Sequence, residues 1–195
     1  MLIAFEGPDH AGRLEAADRL SGGQAVPKLT RSYYRGALQV AETNKGIVQC
    51  FDGISWLSHL VHRLALADGP GQEADAHTVF TMAETHLVFK LFRRGEEPGI
   101  EEAEAHKLGD PSVVNQVYTS FAHTLMALNE SQDFALFKSV TIAEAFTDPL
   151  DGVKRMEVLE FSSPLQSPWH TSIRARLIQD DLSLFDMLSI EDASL

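Results

Sequence analysis

The stretch Leu2-Ile3-Ala4-Phe5-Glu6-Gly7-Pro8-Asp9-His10-Ala11-Gly12-Arg13-Leu14 decides how this chain is read. Residues 2–6 are a continuous apolar run closing on Glu6, the pattern of a strand buried in a parallel sheet. Gly7 and Gly12 bracket four residues, and the sequence from Gly12 has the spacing of a short helix. Strand, glycine-bounded turn and helix are the layout of a phosphate-binding loop, G-x-x-x-x-G-K-[ST]. In such a loop successive backbone N–H groups and the positive end of the following helix surround an anionic phosphate. The glycines allow the unusual backbone angles and the close approach that this requires. The plainer reading of the same residues is a tight strand-to-helix turn with no ligand.

Two positions depart from the pattern. Arg13 stands where lysine is expected, and a forked guanidinium does not replace a compact ammonium over phosphates. Leu14 stands where Ser or Thr would help to hold Mg²⁺. Losing one oriented electrostatic contact in a transition state costs about 10²–10³ in rate, so the pair argues against a fast phosphoryl transferase. Magnesium held through water and carboxylates stays compatible with the loop.

Beyond the loop, a helix over residues 12–20 is expected to turn Leu14, Ala17 and Leu20 inward and to stop at Ser21-Gly22-Gly23. A strand is expected at 25–30, then a loop and short helix over 31–45, and a third strand at 47–51 ending on Asp52. Residues 55–66 read as an amphipathic helix with Trp56, Leu57, Leu60, Val61 and Leu64 on one face. Residues 74–83 read as helical and 86–92 as a fourth strand, followed by an acidic segment over 93–110. A long helix is expected over 111–128, with Val113, Val114, Val117, Tyr118, Phe121, Leu125 and Leu128 at helical spacing. Strands at 134–142 and 155–161 are joined by a turn at 148–152, and a helix is expected over about 172–188. The alternation of strand and helix gives an α/β, three-layer domain with a mainly parallel sheet.

The 195 residues fit a single domain over 1–195 with a sizeable core, and 44% hydrophobic with 23% charged residues is an ordinary globular balance. Sixteen Lys and Arg against 28 Asp and Glu give a net charge of −12. That balance argues against extended nucleic acid as a partner, while leaving room for a local basic pocket for one phosphate ester. The single cysteine, Cys50, lies in an apolar run and reads as a small buried hydrophobe. No signal-like leader and no run of eighteen apolar residues is visible, so a soluble cytoplasmic protein with no membrane contact is expected.

The run Phe5-Glu6-Gly7-Pro8-Asp9-His10-Ala11-Gly12-Arg13 resembles the opening of the thymidylate kinase family of nucleoside monophosphate kinases, F-E-G-x-D-G-A-G-K, and F-E-G-P-D is typical of phage-encoded members. His10 replaces a glycine of that pattern. Thr30-Arg31-Ser32 is similar to the family's T-R-E-P, and Asp52-Gly53-Ile54-Ser55-Trp56-Leu57-Ser58 to D-R-[YF]-x-x-S-S, with Gly53 in place of the arginine. Val114 to Tyr118 resembles the helix after the lid. The likeness covers about residues 1–130 as a kinase-like core, leaving 131–195 as divergent C-terminal strands and a helix.

The resemblance implies a P-loop kinase-like fold and phosphoryl transfer from ATP, with Mg²⁺, to a deoxynucleoside monophosphate. It implies that Gly7, Pro8, Asp9, His10, Ala11, Gly12, Arg13 and Leu14 surround donor phosphates and that Arg31 holds the acceptor phosphate. Asp9 or Asp52 would orient the acceptor or the Mg²⁺ shell, and Arg93 or Arg94 would stabilise the transferring charge. Between T-R and D-R the family carries two long helices that recognise the base, and here only residues 32–51 cover that distance. Tyr33, Tyr34 or Trp56 would have to supply a replacement stacking surface, though each is more often packing. The same losses support a second reading, a catalytically impaired relative serving as scaffold, regulator or assembly protein, with a homodimer or protein partner. A third, a kinase for a hydroxyl on a modified base in DNA, is opposed by the net charge.

His59 and His62, three apart on a helix, have no third metal ligand at a convincing spacing and read as exposed or capping histidines. The acidic run at Glu96, Glu97, Glu101, Glu102 and Glu104 reads as a solvated face. In a lid it would oppose nucleotide phosphates.

Overall fold

In the computed structural model, β1 (Leu2–Glu6) is buried along its whole length. The structure describes residues 1–24, 26–65, 79–99, 109–131, 136–162 and 177–178. Around β1 the chain builds a six-stranded sheet from β2 (Gln49–Asp52), β3 (Met82–Phe92), β4 (Phe137–Thr147), β5 (Lys154–Ser162) and β6 (Leu177–Ile178), in the order β2-β1-β3-β4-β5-β6. The first four strands run parallel, and β5 and β6 are antiparallel additions at one edge. The expected α/β class with a mainly parallel sheet is therefore observed. β1 pairs with β2 on one side and β3 on the other, so the chain changes direction across the sheet at the carboxyl end of β1. Open α/β sheets bind their ligands in the crevice at such a point. The glycine loop lies there.

Helices cover both faces of the sheet. α1 (Arg13–Ser21) packs Ala16 and Ala17 against Ile3, Phe5, Val88, Met156 and Val158. α2 (Arg31–Thr43), α3 (Ser55–Ala65) and α4 (Pro111–Glu130) cover the other face, over Ala4, Leu87, Phe89 and Ile142. The helix ends follow local chemistry. The backbone N–H groups of Gly22 and Gly23 donate to Arg19 and Asp18 to stop α1, and both glycines are left-handed. The Thr30 hydroxyl accepts from Tyr33 N–H to start α2, and Asp110 caps α4 ahead of Pro111.

Several expected elements are corrected. Residues 26–30 form no strand, only a single bridge between Leu29 and Ile54, because Pro27 and Lys28 interrupt the run. Residues 31–43 form one continuous helix rather than a loop and short helix, started by the Thr30 cap. Met82 and Ala83 belong to β3 rather than to a helix, and residues 74–78 lie outside the described residues. Leu14 and Leu64 are exposed, at 52% and 67%, because α1 and α3 bury other faces. Val113 and Leu128 also lie outward. Of the C-terminal helix expected over 172–188, residues 177–178 are strand, and the remainder lies outside the described residues. Among the described residues, no helix is long and apolar enough to cross a membrane.

Trp56 is a core side chain stacked near Phe137, and Tyr34 is buried against Phe80. Of the three aromatic residues considered as a stacking surface, Tyr33 alone is exposed. Cys50 is buried, and burial pushes its thiol up to about 12, the behaviour of an inert hydrophobe.

Candidate functional site

The loop is held by its two glycines against one residue of β3. Gly7 has φ +150, and a Cβ there would stand 2.0 Å from the backbone carbonyl oxygen of Lys90. Gly12, at φ +82, caps α1, and a Cβ there would stand 3.2 Å from Lys90 Nζ. Lys90 Nζ donates to the Gly12 carbonyl at 3.0 Å. His10, at φ 66, is the one described non-glycine residue with positive φ, and it sits where the resembled pattern has glycine. The backbone has thus kept a left-handed step that the side chain disfavours. Ala11 N–H donates to Pro8 O at 3.3 Å, tightening the loop from within.

On the β2 flank of the loop, charges close on one another. Arg13, at the first turn of α1, forms an ion pair with Asp52 at the end of β2 and another with Asp9 at 2.8 Å. Its side chain is 19% exposed, its Nε is buried without a partner, and the two carboxylates hold it firmly charged against its own desolvation. Beneath it lies Glu6, fully buried, which accepts from Ile54 N–H and from the Ser58 hydroxyl. Burial raises the Glu6 carboxyl above its ordinary value, opposed by the Ile54 hydrogen bond and by Arg13. Tyr118, from α4, completes the cluster. Burial, then the neighbouring Glu6 charge, raises its phenol well above 10.0.

Gly53 has a conformational reason to be glycine. Its φ is +86, and a Cβ would lie 3.0 Å from Ser58 Oγ and 3.4 Å from Glu6 Oε1. The arginine of the D-R pattern has no place on this backbone.

On the β3 flank the loop borders a cavity of about 320 Å³. Four cationic side chains line it (Lys90, Arg19, Lys154 and Arg155) against two acidic ones, Glu15 and Glu96. Phe92, Phe146 and Met156 supply apolar wall. Arg155 is held by Asp148 at 2.8 Å and by Asp151. Lys90 is 6% exposed, and it shares a face of β3 with Val88, beneath α1. It is the innermost of the four.

The remaining sequence candidates are dispersed. Arg31 opens α2 and is exposed. Arg93 is occupied: it pairs with Glu157, lies 3.6 Å from Glu144, and stacks over the Phe146 ring at 3.9 Å. Arg94 is exposed. His59 is buried rather than exposed, because it lies one turn along α3 from buried Ser55 and Trp56, and α3 is covered on more than one side. His62 is half-buried, and desolvation, then the positive charge of Lys28, lowers it below 6.5. Of the acidic run, Glu97 docks on Asn115 Nδ2 at 3.1 Å rather than standing in solvent, Glu96 is exposed, and Glu101, Glu102 and Glu104 lie outside the described residues.

Magnesium finds a poor donor set at the loop. Leu14 offers no oxygen, and both nearby aspartates are paired to Arg13. Among the described residues no group of three His, Cys, Asp or Glu could hold a metal ion. A magnesium ion at this loop would take its ligands from phosphate oxygens and water.

Sequence reading missed Lys90 and the part of Glu6 in the cluster beneath Arg13. A signal existed for both, since Lys90 interrupts the apolar run 87–92 and Glu6 closes the apolar run 2–5, where charge is costly unless it is partnered or used. Searches against protein-family models, curated proteins and solved structures find no match to this chain.

Proposed function

We propose that this protein is a divergent, nucleotide kinase-like protein that binds the phosphate tail of ATP at the 7–14 loop. It transfers phosphoryl groups slowly, with a deoxynucleoside monophosphate as the acceptor class. The observation that carries the binding half is the open cavity beside the loop, where Lys90 touches the loop backbone and Arg19 and Lys154 stand at the rim, on a chain of net charge −12. Local positive potential in a concave, partly apolar site concentrates an anionic ligand. The volume falls in the range of small-molecule sites, and the aromatic wall suits a base or sugar.

The expectation of slow transfer rests on the occupied cations. Arg13 is committed to Asp9 and Asp52, and Arg93 to Glu144, Glu157 and Phe146. A transition state gains only from donors aimed at the charge that develops. Each cation withdrawn in this way is expected to lower the rate about 10²–10³ below that of an efficient enzyme.

The same commitments favour a second reading, a nucleotide-bound scaffold or regulator without turnover, acting through a homodimer or protein partner. Thermal melts with and without Mg-ATP test the binding half, since a ligand at 100 times its Kd stabilises the native state by about 2.7 kcal/mol. No shift at millimolar ATP overturns it. Label transfer from γ-labelled ATP to a panel of deoxynucleoside monophosphates separates the two readings. Slow transfer supports the kinase, and a melting shift with no transfer supports the scaffold.

A further inference from the structure

We infer that Lys90, on β3, is the phosphate-binding cation of this loop, in the part that the residue after the second glycine plays in a G-x-x-x-x-G-K loop. The inference rests on the nucleotide-binding reading above and deepens it, naming the residue and the flank that receive a di- or triphosphate tail.

Position 13 is the first reason. Its guanidinium sits on the β2 flank between two carboxylates, so it gives the β3 cavity no charge. Lys90 arrives at the same loop from the neighbouring strand. Its backbone carbonyl lies against Gly7 and its ammonium against Gly12, so both glycines of the motif are fitted to this one residue. The ammonium therefore stands at the loop itself, on the side that opens into the cavity.

The other cations stand differently. Arg155 is committed to Asp148 and Asp151, while Arg19 and Lys154 are exposed at the rim. Of the four, Lys90 joins burial to direct contact with the loop backbone.

The chemistry is that of exchange. A lysine ammonium has three donors, and the Gly12 carbonyl is among its partners. A phosphate oxygen accepts a charge-assisted hydrogen bond roughly twice as strong as a neutral one. The arriving anion thus competes well for the ammonium without a large swing of a side chain rooted in the central sheet. A terminal phosphate bound there leaves the rest of the nucleotide against Phe92, Phe146 and Met156.

The test measures binding of inorganic tripolyphosphate, ADP and ATP by calorimetry to the wild type, Lys90→Met and Lys45→Met. The expected result is a loss of about tenfold or more in affinity for all three ligands in Lys90→Met, the scale of one charge-assisted contact. Lys45→Met is expected to stay within about twofold of wild type, since Lys45 is exposed in the turn ahead of β2, at the end of the sheet away from the loop. Wild-type binding that survives Lys90→Met unchanged overturns the role of Lys90 and leaves the nucleotide reading standing. A wild type that binds none of the three ligands overturns both.

Should Lys90→Met not fold, the wild-type chain is treated with an acyl-phosphate derivative of ATP. Its acyl group passes to a lysine amine beside the phosphates and ATP leaves. Peptide mass spectrometry that places the acyl group on Lys90, blocked by excess ATP, supports the inference. Labelling confined to Lys154 or Lys28, blocked in the same way, overturns it.

Discussion

The two flanks of one loop differ in how their charge is spent. Toward β2, a single cation, Arg13, is shared by Asp9 and Asp52 and lies over buried Glu6, so the flank is closed and acidic. Toward β3, Lys90, Arg19 and Lys154 line an open volume with Glu15 and Glu96, while Arg155 is paired to Asp148 and Asp151. The glycines are common to both flanks, so glycine spacing alone does not say where an anion goes. A cation against the loop backbone beside open space does, and here it is Lys90, from the neighbouring strand.

The largest effect is expected where the flanks share structure. Gly7→Ala puts a Cβ 2.0 Å from the Lys90 backbone oxygen, at a φ that L residues rarely adopt. Backbone cannot swing aside as a side chain does, and a loss of about 3 kcal/mol or more is expected in urea unfolding. Gly12→Ala meets only the movable end of Lys90 and should cost about 1–2 kcal/mol, the left-handed penalty. Equal losses at the two glycines would mean that β3 does not anchor the loop through Lys90.

Next comes Arg13→Ala, which removes the β2-flank cation and leaves Asp9, Asp52 and Glu6 without it. Hydrogen bonds to charged groups contribute about 1.5–3 kcal/mol each. Asp9 is 39% exposed and Asp52 24%, so solvent screening reduces the combined loss to about 2 kcal/mol. Denaturant midpoints measure it, and a loss below about 0.5 kcal/mol would show that the flank is held by other interactions.

The buried acid gives a pH signature of its own. The folded state raises the Glu6 carboxyl above 4.5, so it holds that proton more tightly than the unfolded chain does. The resulting stability is fully present below 4.5 and is lost as pH rises through the raised value. Relative to Glu6→Gln, the wild type is therefore expected to gain unfolding free energy as pH falls from neutrality toward 4.5. His62 acts in the opposite direction. Its lowered value contributes stability above 6.5 that is lost as pH falls through it. Unfolding at a series of pH values in Glu6→Gln and His62→Asn separates the two. A wild-type minus Glu6→Gln difference that is flat with pH would remove the buried carboxyl from the account.

Much of the fold was legible because burial writes a period into the sequence. β1, β2, the long α4 and the turn between β4 and β5 all follow from apolar runs, caps and Gly or Pro breaks. The misses have physical causes. Tyr33, Tyr34 and Arg35 make the start of α2 look polar and irregular, yet Tyr34, Ala37, Leu38 and Ala41 give it an inner face. Leu14 and Leu64 are apolar and exposed, which patterning cannot distinguish from core.

At the site, the loop's position was legible but its polarity was not. The direction in which Arg13 turns depends on Asp52, 39 residues away, and Lys90 reaches Gly12 across 78. Only strand order brings such residues together. Gly53, which reads in sequence as a lost arginine, is a backbone requirement set by Glu6 and Ser58.

The smallest effect expected lies at the mouth of the β3 cavity, where His10 holds φ 66. A left-handed L residue costs about 1–2 kcal/mol. Glycine in its place removes that strain but loses about 0.5–1 kcal/mol through the greater freedom of the unfolded chain. His10→Gly is thus expected to stabilise the protein by about 0.5 kcal/mol, read from paired urea titrations. The variant also sharpens the difference between the flanks. His10 borders the cavity and adjoins Asp9 of the Arg13 cluster, so the cost of Arg13→Ala in the two backgrounds measures how far one flank is coupled to the other. A coupling above about 0.5 kcal/mol would mean that the loop transmits strain from one flank to the other, and the two sides would then have to be treated as a single mechanical unit.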